Sequence, residues 1–121
     1  MAKILLVEDE ELIGKLYRRK LEMANYEIET AVDGIEGLEK AKQLKPDLIL
    51  LDIIMPRLNG LEVLKTIKAD PELKAIPVIV LTNVASSEKT EECLRGGCVS
   101  YIIKSSTIPS DVLREVKKVL G

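Results

Sequence analysis

Short apolar runs alternate with amphipathic stretches along the whole chain. Lys3 to Val7 is a strand-length apolar run, and Glu10 to Ala24 then places Leu12, Ile13, Leu16 and Leu21 at helical spacing. Glu27 to Ala31 is a weaker, alternating strand. Asp33 can cap a helix running to Leu44, with Ile35, Leu38 and Ala41 on one face and Pro46 as its stop. The pattern continues with a third strand over Asp47 to Leu51, a turn-rich loop over Met55 to Gly60 and a helix through Ala69, halted near Pro71. Pro77 to Leu81 is a β-branched strand, and Ser86 or Ser87 can cap a helix that reaches Arg95 and ends at Gly96 and Gly97. Val99 to Ile103 predicts the last strand, and Pro109 opens the last helix, through Leu120.

Strict strand–helix alternation predicts an α/β domain, a parallel sheet with helices on both faces joined by right-handed crossovers. At 121 residues, with no linker, repeat or low-complexity segment, residues 1–121 are expected to form one domain. Phe and Trp are absent, so Ile, Leu and Val must build the core, which suits strands buried on both faces. A net charge of −2 offers no basic field for nucleic acid. With no signal-peptide pattern and no apolar stretch of spanning length, the expected location is the cytoplasm, away from any membrane. His is absent, and Cys93 and Cys98, five apart, fit no common metal or redox spacing. Both thiols are read as structural or incidental, since a free Cys usually packs as a small hydrophobe.

In open parallel sheets, function gathers at the carboxyl ends of the strands. Here those ends carry Glu8 and Asp9, then Asp52, then Thr82 and Asn83, then Lys104. Each alone reads as a solvated loop residue. Together they are another matter, because clustered carboxylates raise one another's pKa unless a cation relieves them. A small set of hard oxygen ligands suits Mg²⁺, which keeps several waters and favours phosphate partners.

The runs KILLVEDE, PDLILLDIIMPRLNGLEVL, VIVLT and YIIK resemble the response-regulator receiver domains of two-component signalling, over essentially the whole chain. The resemblance implies a flavodoxin-like, doubly wound (βα)5 three-layer sandwich with strand order 2-1-3-4-5. It implies Asp52 as phosphoacceptor and Mg²⁺ held by Glu8, Asp9, Asp52 and the backbone carbonyl of Ile54. Thr82 and Lys104 would act with Asp52 on the phosphoryl group, and Thr82 and Tyr101 would form the switch pair. The implied partners are a sensor histidine kinase or phosphotransfer protein and a downstream effector or fused output domain, with no direct nucleic-acid contact. The chain has no His, so a phosphohistidine donor must be another protein.

Physical chemistry explains the grouping. A carboxylate is a competent nucleophile toward phosphorus, and phosphoryl transfer needs mainly positioning and charge neutralisation. The product adds roughly −1.5 to −2 of charge. Thr82 would follow it, Tyr101 would turn inward, and the face of the fourth helix, fifth strand and fifth helix would carry the signal or a phosphorylation-dependent dimer. Ile54 and Val84, each two residues beyond a site residue, are expected to obstruct water and lengthen the phosphorylated state. One departure stands out: Ser105 and Ser106 follow Lys104 where the family usually has Pro, and a trans Lys104–Ser105 bond is expected because non-proline cis bonds cost about 2.5–4 kcal/mol.

Three other readings compete with this one. A haloacid-dehalogenase-like phosphatase needs a second acid two residues after its Asp nucleophile, where this chain has Ile54. A flavodoxin-like cofactor binder needs a phosphate loop after the first strand, where Glu8 to Glu11 would repel phosphate. A pseudo-receiver, an interaction module without phosphorylation, is the alternative reading, supported only by the altered loop after Lys104.

Overall fold

The structure, a computed structural model, describes residues 2–53, 60–82, 87–104 and 107–121, without the side chains of residues 87–90. In chain order the elements are β1 (Lys3–Val7), α1 (Glu11–Met23), β2 (Glu27–Ala31), α2 (Gly34–Leu44) and β3 (Leu48–Asp52). They continue as α3 (Gly60–Ala69), β4 (Val78–Thr82), α4 (Ser87–Arg95), β5 (Ser100–Ile103) and α5 (Pro109–Leu120). All strand pairs are parallel, in the order β2-β1-β3-β4-β5. This is the doubly wound architecture and strand order that the resemblance implies.

Alternation along the central strands divides the core into two layers. Leu5, Val7, Ile49, Leu51, Val78 and Val80 meet Ala41 of α2, Val63, Leu64 and Ile67 of α3, and Cys93 of α4. Ile4, Leu6, Leu48, Leu50, Ile79 and Leu81 meet Tyr17 and Leu21 of α1 and Val112 and Val116 of α5 on the opposite face. Side chains of a strand point alternately to the two faces, so a nearly continuous apolar run fills both layers.

Local signals set the boundaries. The Asp33 carboxylate accepts from the Glu36 N–H at 2.9 Å, the expected N-cap of α2. Lys45 takes a left-handed φ of 45° just before Pro46. Gly97, at φ 103°, donates to the Leu94 carbonyl while Cys98 donates to that of Cys93, a Schellman closure of α4. Both cysteines are buried and outside any disulfide, packed into the core across that turn.

Two helix faces differ from the sequence expectation. On α1, Leu12 is 73% exposed and Leu16 is also exposed, while Tyr17 and Leu21 carry the packing. On α2, Ile35 faces outward and Gly34, Gly37 and Ala41 are buried. A Cβ on Gly37 would lie 3.0 Å from a Val7 methyl, so this helix approaches the sheet through its glycines, which an apolar-residue pattern does not reveal. The third and fourth strands also begin one residue later than their sequence runs. Asp47 accepts the Lys3 N–H through its carboxylate at 2.8 Å, and Pro77 has no N–H for a ladder. At their other ends, Asp52 and Thr82 are the last residues of the strands rather than the first of the loops.

Candidate functional site

Sheet register carries the polar residues to one edge. Val7 pairs with Leu51 and Asp52 with Leu81, so Glu8, next after Val7, arrives level with Asp52. Thr82 pairs with Ile103, and Lys104 follows immediately. The Glu8 N–H continues the ladder by donating to the Ala31 carbonyl at 2.9 Å. Glu8, Asp52, Thr82 and Lys104 are all buried, while Asp9 is exposed.

Lys104 joins the cluster. Its Nζ donates to Glu8 Oε1 at 2.9 Å and to Asp52 Oδ2 at 3.2 Å. A third carboxylate, Glu10 Oε2, lies 3.5 Å from the same ammonium. Burial alone would pull the Lys104 pKa down, but Glu8 and Asp52 outweigh it and raise the pKa above the ordinary lysine range. Asp52 moves the same way for a different reason. Burial, then the Glu8 carboxylate beside it, lifts its pKa to about 8 against the opposing pull of Lys104. One lysine does not balance this group of acids.

The carboxylates are arranged for a metal. One oxygen from each of Glu8, Asp9 and Asp52 lies within 4.8 Å of the other two. Glu8 Oε2 is buried, and among the described groups no donor reaches it. A buried carboxylate oxygen left without a donor is costly, and a divalent cation taking hard oxygen ligands would relieve it. The residues present therefore fit Mg²⁺.

Gly60, the first residue of α3, braces the acceptor from behind. Its N–H donates to the Ile53 carbonyl at 2.7 Å, and a Cβ there would lie 2.3 Å from the Asp52 carbonyl oxygen. Only glycine lets the helix start this close to the strand end. The close approach lies directly beside the Asp52 backbone.

A family profile described as Response regulator receiver domain matches residues 4–116. The chain belongs to the response regulator receiver family. Among similar proteins, the polar-differentiation response regulator DivK of Brucella anthropi is 42% identical over 118 residues, covering 98% of this chain and 95% of that one. The structure of the chemotaxis response regulator CheY4 of Vibrio cholerae superposes with a TM-score of 0.92 at 34% identity, with 98% of each chain covered. A CheY-like receiver domain protein from Methanospirillum hungatei gives a TM-score of 0.88 at 33% identity, covering 98% of this receiver and 92% of that chain. Receivers of this kind work in two-component signalling with histidine kinases and downstream effectors, and generally bind Mg²⁺.

The receiver thus brings together five residues singled out in the sequence: Glu8, Asp9, Asp52, Thr82 and Lys104. Tyr101 stands apart on β5, paired with Val80 and 38% exposed, beside a depression shared with Thr107, Asp111 and Arg114. Ile54, Met55, Pro56, Asn83, Val84 and the Lys104–Ser105 junction lie outside the described residues. Sequence reasoning missed Glu10, taking it for the start of a helix. It is the N-cap of α1 but its side chain makes no cap hydrogen bond; it turns back to Lys104 instead. No helix among the described residues is long and apolar enough to cross a membrane.

Proposed function

We propose that residues 1–121 act as one phosphorylation-dependent switch in the cytoplasm, with Asp52 accepting a phosphoryl group from a partner's phosphohistidine. The observation that carries the reading is the Lys104 ammonium, 2.9 Å from Glu8 and 3.2 Å from Asp52, beside a buried carboxylate oxygen that no donor among the described groups reaches.

An Asp52 oxygen attacks phosphorus in line, and the P–N bond breaks with its electron pair staying on the imidazole, which takes up a proton. Glu8, Asp9 and Asp52 would hold Mg²⁺, with the Ile54 carbonyl as the further ligand that the resemblance implies, and the bound cation would supply charge neutralisation for phosphoryl oxygens. Lys104 favours the ionised acceptor, then exchanges its carboxylate contact for a phosphoryl oxygen. Thr82, fixed at the end of β4, donates its hydroxyl to another phosphoryl oxygen. Burial of Asp52 keeps bulk water from the acyl phosphate and slows its loss. Ile54 and Val84 are proposed to add to that shielding.

Output follows from the two states of one face. With Tyr101 exposed, the surface of α4, β5 and α5 has one shape. Once Thr82 is drawn to the phosphoryl group, Tyr101 turns inward and the face presents another, for an effector, an output domain or a second copy.

The test is intact mass after incubation with Mg²⁺ and acetyl phosphate. One phosphoryl group should be gained, and the gain should vanish in Asp52→Asn and in chelator. A folded protein that never gains it would overturn the reading and leave a pseudo-receiver acting as an interaction module.

A further inference from the structure

Among the described acids that meet Lys104 (Glu8, Glu10 and Asp52), Glu10 is the one with no part in the chemistry above. Its carboxylate is 3.5 Å from Lys104 Nζ, which also lies 3.2 Å from Asp52, so one ammonium separates it from the acceptor. Unlike Glu8 and Asp52, its side chain is 47% exposed. It also borders a cavity of about 360 Å³ lined by Glu8, Asp9, Glu11, Lys15 and Thr30. Neighbouring charges on α1 do not cancel it: Lys15 pairs with Glu11 at 3.2 Å and Arg18 with Glu22 at 3.4 Å.

The charge count makes Glu10 decisive. Among the described residues of the cluster, a divalent cation and Lys104 together balance Glu8, Asp9 and Asp52, and Glu10 is the extra charge that tips this group negative. That charge sits on the solvent side, where a phosphodonor must approach. We infer that Glu10 is a specificity-determining residue: it disfavours small, highly anionic phosphodonors and favours donors that bring compensating positive charge, such as a phosphohistidine flanked by basic residues.

The inference rests on the phosphoacceptor reading, and its test separates the two. Acetyl phosphate is a dianion near neutral pH, whereas phosphoramidate carries a net single negative charge. Phosphorylation rates with each donor are measured at saturating Mg²⁺ for wild type, Glu10→Gln and Glu10→Asp. Calorimetric titration of Mg²⁺ fixes saturation for each and shows whether metal affinity has changed.

Glu10→Gln should raise the acetyl phosphate to phosphoramidate rate ratio by about threefold to tenfold at low salt. The gain should shrink at 0.5 M salt, as expected for an exposed charge, because the Debye length falls from about 30 Å at 0.01 M to below about 10 Å above 0.1 M. Glu10→Asp, which keeps the charge but shortens the reach, should retain most of the wild-type discrimination. Equal scaling of both rates in Glu10→Gln, or no change in their ratio, would overturn the inference while leaving the phosphoacceptor intact. A folded wild type that takes no phosphoryl group from either donor would remove the phosphoacceptor reading and this inference with it.

Discussion

The two edges of the sheet each bury much of a lysine and each press a glycine against a neighbour, yet only one edge has the makings of a reactive site. At the carboxyl edge Lys104 meets Glu8 and Asp52, and Gly60 abuts the Asp52 backbone. At the amino edge Lys68 donates to the carbonyls of Lys74 and Ile76 at 3.1 and 2.9 Å, and Gly97 abuts the Lys68 stem, 3.1 Å from where its Cβ would be. The pKa directions are opposite: Lys104 is raised by its carboxylates, whereas Lys68 is lowered by burial. Neutral carbonyl partners make a structural brace. Charged partners left in excess make a place where an added cation or phosphoryl group changes the balance.

The largest contrast should come from replacing each lysine by methionine. Lys104→Met should cut the rate of Asp52 phosphorylation by about 100-fold, the usual scale for losing a charge that stabilises the transition state. Lys68→Met should leave that rate within about threefold. Intact mass against time measures both, and equal losses would erase the distinction between the edges.

The glycines come next. Gly60→Ala should destabilise by roughly 2–3 kcal/mol, since the new methyl meets backbone that cannot yield. Gly97→Ala should cost about 1–2 kcal/mol, mostly for forcing alanine into the left-handed region, because the flexible Lys68 stem can move. Urea midpoints rank the pair. Only Gly60→Ala should also slow phosphorylation.

A smaller effect concerns pH. The folded-state pKa of Asp52 is raised to about 8 from an ordinary 3.8, so between those values the folded protein holds a proton that the unfolded chain has lost. Its stability contribution is present below about pH 4 and is lost as pH rises towards 8. In chelator, wild type should lose stability on the order of 1 kcal/mol across that window, and Asp52→Asn should show a flatter profile. Lys104 has the opposite charge but also a raised pKa, so its contribution holds through neutral pH and disappears only under strongly alkaline conditions. Smallest of all, Lys68→Met should cost about 1 kcal/mol of stability, for two carbonyl hydrogen bonds partly replaced by water, with little change in slope over pH 4–8.

Much of this molecule was legible in its sequence. The continuous apolar runs before Glu8, Asp52 and Thr82 dictate strands buried on both faces, and alternation with helices makes them parallel, so their carboxyl ends share an edge. That argument alone gathers Glu8, Asp9, Asp52, Thr82 and Lys104. Strand order came only with the family resemblance, because periodicity does not say which parallel neighbour a strand selects.

Tertiary packing decided the rest. Leu12 and Ile35 fit helical apolar patterns yet face outward, because α1 packs through Tyr17 and Leu21 and α2 through its glycines. Glu10 belongs by sequence to the first turn of a helix, and only the folded chain brings it to a lysine 94 positions away. Local sequence determines which residues can be strand or helix and which chemistry the strand ends carry. Which buried charges find partners, and which are left in excess, depends on distances between residues far apart in the chain, and those exist only once the sheet has closed.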